Sequence, residues 1–226
     1  IHALCLKGSY MSALGGRQTN TIEEAKEEAE NYFKYMLGTP TSNAYPGINK
    51  LQDIVHKTIT QEHFQILSSV PNEEEIKHAL FNIDSNKAPG PDGFNSFFFK
   101  RCWAIVGELV VKAVMEFFNS SELLKESNTT IISLVPKVPN PSAMGDFRPI
   151  SCCNTVYKCI SKLISARLQR ILPEVIDHAQ SAFIKGRKIS DNVLLAQDLM
   201  RDYHKTCGKP RAAAKVDLMK AYDTVS

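Results

Sequence analysis

The sequence predicts an α+β fold in which helices dominate and strands are short. Three observations carry that prediction: apolar residues recur at helical spacing through several long stretches, β-branched runs are brief, and turns rich in proline and glycine separate them. The chain has 226 residues, 43% hydrophobic and 23% charged, which is an ordinary globular composition and length enough for one large domain or two small ones. Collagen-like, low-complexity and wholly disordered classes are excluded by it.

The elements follow in order. Thr21 is placed to cap a helix running through Glu23–Glu30 into Tyr32 and Phe33. The acidic first turn suits the positive end of a helix dipole. Gly38-Thr39-Pro40 stops it, and residues 39–50 (TPTSNAYPGINK) read as a loop and a candidate linker. Asn72 caps a helix over Glu73–Ile83, with Glu75 near the capping-box position and Ile76, Ala79, Leu80 and Ile83 on one face. Ser85–Gly93 is dense in turn residues. The run Phe97-Phe98-Phe99 reads as a helix or turn packed into the core, in preference to a surface that stacks bases.

Trp103–Phe118 reads as a largely buried helix. Glu108, Lys112 and Glu116 interrupt it, so no stretch reaches the roughly 18–20 uncharged apolar residues of a membrane span. Thr129–Val135, bounded by Pro136, reads as a strand. Val156, Ile160, Leu163, Ile164, Leu168 and Ile171 form a helical stripe that Lys158, Lys162, Arg167 and Arg170 avoid, with Pro173 as its end. Ser190 or Asp191 caps a further helix through Val193, Leu194, Leu199 and Met200. Ala213–Leu218 is a short apolar run carrying one acid, as in a buried strand.

The six cysteines (5, 102, 152, 153, 159 and 207) form no C-x-x-C pair and no zinc spacing, and are expected as reduced core residues of an intracellular protein. The first seven residues lack the basic start and apolar run of a signal peptide. Ile1 in the place of an initiator Met suggests an internal piece of something longer.

Charge is uneven. Residues 1–90 hold 8 basic against 11 acidic side chains, and residues 91–226 hold 19 against 13. The cations cluster at Lys158, Lys162, Arg167 and Arg170, at Lys185, Arg187 and Lys188, and at Lys209, Arg211, Lys215 and Lys220. Such groups neutralise a phosphate backbone; solvated helix faces have the same composition. Asp217 is the acid within the last apolar run. An ionised carboxylate in such a segment must be partnered, at a strand end, or bound to a cation. Asp223 lies six residues on, past Lys220-Ala221-Tyr222.

Here the residues carry a resemblance. Lys215–Ser226 (KVDLMKAYDTVS) is similar to motif A of reverse transcriptases of the LINE-type (non-LTR) retrotransposons, of plant-like cast. Asn86–Phe94 (NKAPGPDGF) resembles the family's early fingers motif. Leu134-Val135-Pro136-Lys137 and Asp146–Ser151 (DFRPIS) resemble its "IPK … YRPIS" block. Gln180–Asn192 (QSAFIKGRKISDN) resembles its "Q-x-F-x-x-G-R-x-x-x-D-N" block. Four blocks in order cover residues 71–226; residues 1–70 resemble, less specifically, the helical stretch between an upstream endonuclease and the polymerase.

The resemblance implies a helix-rich fingers region and the start of a right-hand polymerase palm. It implies an RNA-directed DNA polymerase that joins nucleotides by in-line attack of a primer 3′-hydroxyl, with two Mg²⁺ ions stabilising the attacking and leaving oxygens. Asp217 would be the motif A metal ligand, with the Leu218 backbone carbonyl as a second oxygen. Tyr222 would lie beneath the nucleotide sugar, its ring colliding with a 2′-hydroxyl; Asp223 would be supporting structure. Lys137 and Arg148 would grip the incoming triphosphate, Arg148 as a bidentate fork. Lys158, Lys162, Arg170, Gly186 and Arg187 would touch template or primer backbone. The implied partners are an RNA template, a DNA primer or target and deoxynucleotides, without a membrane; the implied location is intracellular and nuclear.

The sequence contains no Asp-Asp pair, so the family's aromatic-x-Asp-Asp block is not in it. One carboxylate does not hold two ions, and the isolated chain is expected to be inactive. The alternative is a catalytically dead, nucleic-acid-binding remnant of such an element; an intron maturase with related fingers fits the wording less well.

Overall fold

In the computed structural model, residues 4–6, 21–38, 58–141, 143–201, 203 and 214 are described. Helix α1 (Ile22–Gly38) starts as its sequence dictates: the Thr21 hydroxyl accepts the backbone N–H of Glu24 at 3.2 Å. Ala25, Ala29 and Phe33 recur every fourth residue and are buried. The loop expected over residues 39–50 lies outside the described residues.

A three-stranded sheet is built from β1 (Leu4–Leu6), β2 (Thr130–Pro136) and β3 (Phe147–Cys153), in the order β1-β2-β3. β1 runs parallel to β2 and β3 antiparallel to it. Ile132 and Leu134 point to one face of β2, where they join Ala29 and Phe33 of α1, Met144 and Phe147 in one hydrophobic cluster. The β-branched run predicted as a strand is therefore β2, shifted by one residue.

Helix α3 (Glu73–Phe81) follows the short α2 (Gln61–Ser68). Asn72 caps α3 by accepting the Glu75 N–H at 2.8 Å. The face read from the sequence packs a second cluster: Ile76, Ala79, Leu80 and Ile83 meet Val110 and Val114 of α5 (Trp103–Ser120) and Cys159, Ile160 and Leu163 of α6 (Thr155–Val175). Between α3 and α5 lies the two-turn α4 (Ser96–Arg101), capped by Asn95. Its phenylalanines divide: Phe99 packs against the core, whereas Phe97 is 53% exposed.

Two expectations change. α5 is not largely buried: Ile105 is 80% and Leu109 68% exposed, and only Gly107, Val110 and Val114 are buried. Its high apolar content hid an ordinary one-sided helix. Pro173 does not end α6 but sits inside its last turn. A proline there removes a single ladder donor, and the freed helix end is capped from elsewhere, as described below.

The chain divides into two units, residues 1–40 with 68–165 and residues 41–67 with 166–226. Both clusters and the sheet belong to the first. The second contains most of α2, the end of α6 and α7 (Ile189–Met200). In it the Arg167 guanidinium, only 3% exposed, donates to the Leu67 carbonyl at 3.3 Å, so this member of the basic cluster is a buried structural cation. No helix among the described residues is long and apolar enough to cross a membrane.

Candidate functional site

The β2–β3 hairpin sets two of the predicted cations at one end. Antiparallel register pairs Val135 with Arg148 and Pro136 with Phe147, so Lys137 follows directly beyond the last pair. A 3₁₀ turn, Met144–Asp146, closes the connection. Lys137 ties down that turn with its backbone N–H to the Asp146 carbonyl at 2.7 Å and its Nζ to the Gly145 carbonyl at 2.7 Å. Met144 and Phe147 bury themselves beneath. Arg148 is exposed, and its guanidinium makes no ion pair or hydrogen bond with a described residue. The arrangement offers a free planar fork beside an ammonium with unspent donors, a combination suited to phosphate oxygens.

The other predicted cations are spent differently. α3 ends in a turn-rich segment, residues 82–94, whose carbonyls three lysines collect. Lys162 donates to Asn82 O at 2.7 Å, Lys100 to Ile83 O at 2.5 Å and Ser85 Oγ at 3.1 Å, and Lys158 to Ala88 O at 2.5 Å. Ammonium groups at a helix C-terminus satisfy orphan carbonyls and complement the dipole. The far end of the segment is held by Thr155 Oγ1 on Phe94 O at 2.9 Å and by Asn154, which accepts the Asp92 N–H at 3.3 Å. Gly90 approaches Asn154 so closely that a Cβ there would lie 2.2 Å from its Oδ1. Lys158 and Lys162 thus position the early fingers segment; Arg170 is exposed, with no described partner.

Arg187 works on backbone as well. Its Nη1 donates to the carbonyls of Asp177 at 2.5 Å and Gln180 at 2.7 Å, its Nη2 to those of Pro173 at 3.1 Å and Ile176 at 3.0 Å. This one side chain caps α6 beyond the embedded proline and organises the loop that follows. Gly186, at φ +85°, supplies the left-handed turn that aims it. Asn192 secures the same loop from α7, with Nδ2 on Ala179 O at 2.9 Å and Ser181 Oγ at 3.0 Å. α7 begins at Ile189 with Lys188 as its N-cap, not Ser190 or Asp191.

Asp217, Leu218, Tyr222 and Asp223 lie outside the described residues, as do Lys209, Arg211, Lys215 and Lys220. Among the described residues no group of three or more His, Cys, Asp or Glu side chains is placed to hold a metal ion. Sequence reading missed Lys100 and Asn154, because a lysine or asparagine reaching a carbonyl far along the chain has no local pattern. It also missed the orientation of Phe183, which is 89% exposed at φ +65°.

Comparison with known proteins bears on the motif blocks directly. Residues 135–226 match the reverse transcriptase (RNA-dependent DNA polymerase) family. The chain is 36% identical over 152 residues to the transposon TX1 uncharacterized 149 kDa protein of Xenopus laevis, covering 67% of this chain and 12% of that protein. It is 20% identical over 221 residues to the retrovirus-related Pol polyprotein from type-2 retrotransposable element R2DM of Drosophila melanogaster, covering 97% of this chain and 19% of that one. A Pol polyprotein from type-1 retrotransposable element R2 of Bradysia coprophila is 23% identical over 199 residues, or 86% and 21% of the two chains. The chain therefore spans about a fifth or less of these relatives. All three are animal proteins, and they lend no support to a plant-like affinity.

Proposed function

We infer that this chain, whose residues 135–226 are a reverse transcriptase segment of the non-LTR retrotransposon kind, is the fingers and first palm strand of an RNA-directed DNA polymerase. One observation carries the reading: the matched stretch runs unbroken from the hairpin bearing Lys137 and Arg148 to the acid Asp217. We keep residues 1–70 as the helical region upstream of the polymerase and 71–226 as its N-terminal part.

The substrates are an RNA template, a DNA primer or target and deoxynucleotides; the place of action is chromosomal DNA in the nucleus. Arg148 binds the incoming triphosphate through its free guanidinium, with Lys137 adding charge from the neighbouring turn. Tyr222 discriminates by shape, its ring excluding a 2′-hydroxyl. Lys158, Lys162, Gly186 and Arg187 act mainly by fixing the backbone segments against which template and primer lie, and Arg170 meets phosphate directly.

Asp217 and the Leu218 carbonyl supply oxygen donors, the type a hard divalent cation takes, and Mg²⁺ needs few carboxylates because substrate phosphates complete its shell. When bound, such ions neutralise charge on the reacting phosphate and lower the pKa of the attacking hydroxyl. A single acid does not complete a two-ion site, so the 226-residue chain alone does not synthesise DNA. Robust primer extension on an RNA template by the isolated chain would contradict that statement. In a longer protein that contains this chain, Arg148→Ala raises the nucleotide KM at least tenfold while kcat changes less, consistent with the loss of a charge-assisted contact. An unaltered KM would remove Arg148 from the site.

The alternative reading, a nucleic-acid-binding remnant without chemistry, is favoured by no observation on this chain. It is separated from the first by whether an aromatic-x-Asp-Asp block follows in frame.

A further inference from the structure

We propose that Phe183 is a base-stacking residue, and that the tip of the loop at residues 177–188 takes one unpaired base and the adjoining phosphates of a single-stranded nucleic acid. The ring is 89% exposed, whereas its neighbour Ile184 is buried, so the loop turns its aliphatic side chain inward and its aromatic one outward. Phe183 holds φ +65°, a conformation normally left to glycine or asparagine. A large aromatic there is strained, and the strain persists because the loop is fixed on both sides. Arg187 binds four backbone carbonyls, Asn192 binds Ala179 and Ser181, and Gln180 Nε2 donates to the Ala182 carbonyl at 3.2 Å. The ring is therefore presented on a rigid support and makes no ring contact with a described residue.

Charge says what meets it. Lys185 and Lys188 flank the ring, both exposed and neither ion-paired with a described residue, and residues 178–190 contain no Asp or Glu. An apolar protein surface would bury those two ammonium groups without compensation. A polynucleotide satisfies both requirements, because every base has a π-face and every linkage an anionic oxygen. The site rests on the reading of the chain as one that handles nucleic acid, but not on any metal or on Asp217.

The test uses the 226-residue chain and a single-stranded RNA oligonucleotide carrying 5-iodouridine. Irradiation should attach the probe to the peptide containing Phe183. Binding measured by fluorescence anisotropy should weaken about tenfold in Phe183→Leu, the range expected for one stacked base, and be retained in Phe183→Trp. Replacing Lys185 and Lys188 together by Gln should flatten the salt dependence by roughly two units. A cross-link elsewhere, or Phe183→Leu binding as tightly as wild type, would overturn the proposal. If Asp217→Asn leaves synthesis by the longer protein intact while the Phe183 cross-link persists, the polymerase reading fails and this one stands.

Discussion

Arg187, Phe183 and Cys159 each show how one side chain acquires a role from what surrounds it. A guanidinium has five N–H donors in a fixed fork, and Arg187 commits donors to four carbonyls. Arg187→Lys keeps the charge but not the fork, and should cost about 1–2 kcal/mol, read as a lower urea midpoint with unchanged slope. Phe183→Gly should do the opposite and raise stability by about 0.5–1 kcal/mol, because glycine tolerates a positive φ without steric cost. Cys159 lies in the core with its thiol on the Ile76 carbonyl, and burial pushes its pKa from an ordinary 9.0 up to about 12. The folded chain then keeps a proton that the unfolded chain releases, so stability present below pH 9 should decline between pH 9 and 12. Cys159→Ala should flatten that decline in urea titrations run across the same window; an unchanged slope would show that the thiol does not contribute.

Among the elements, α3 was the most legible. Its cap residue, its start and its apolar face follow from the order Asn72-Glu73-Glu74-Glu75-Ile76, because capping and 3.6-residue periodicity are local properties. Leu80→Ala should cost about 2–5 kcal/mol, since the side chain is fully buried between α5 and α6. Asn72→Ala should cost about 1 kcal/mol, and both are checked by chemical denaturation. β1 and β3 were not legible as strands. Three residues carry no periodicity, and β3 contains Pro149 in a largely exposed strand, so only pairing with β2 defines them. The lysines at 100, 158 and 162 were equally opaque: from sequence they are helix-surface cations, and only the fold brings their Nζ atoms to the carbonyls of the turn after α3.

At the scale of the molecule, family and α+β architecture came from the order of four motif blocks, and the match over residues 135–226 agrees with it. The site divides. Lys137 and Arg148 meet at one end of a hairpin because register is fixed by burying Phe147 and Leu134. Asp217, Leu218 and Tyr222 rest on their motif alone, since they lie outside the described residues. A nucleotide bound to Arg148 and a divalent ion held by Asp217 must face one another for the in-line transfer to occur. The direct test is the rate of primer extension on an RNA template by a longer protein containing this chain, wild type against Asp217→Asn. The account predicts a loss of at least a thousandfold with nucleic-acid binding retained; extension at the wild-type rate would contradict it.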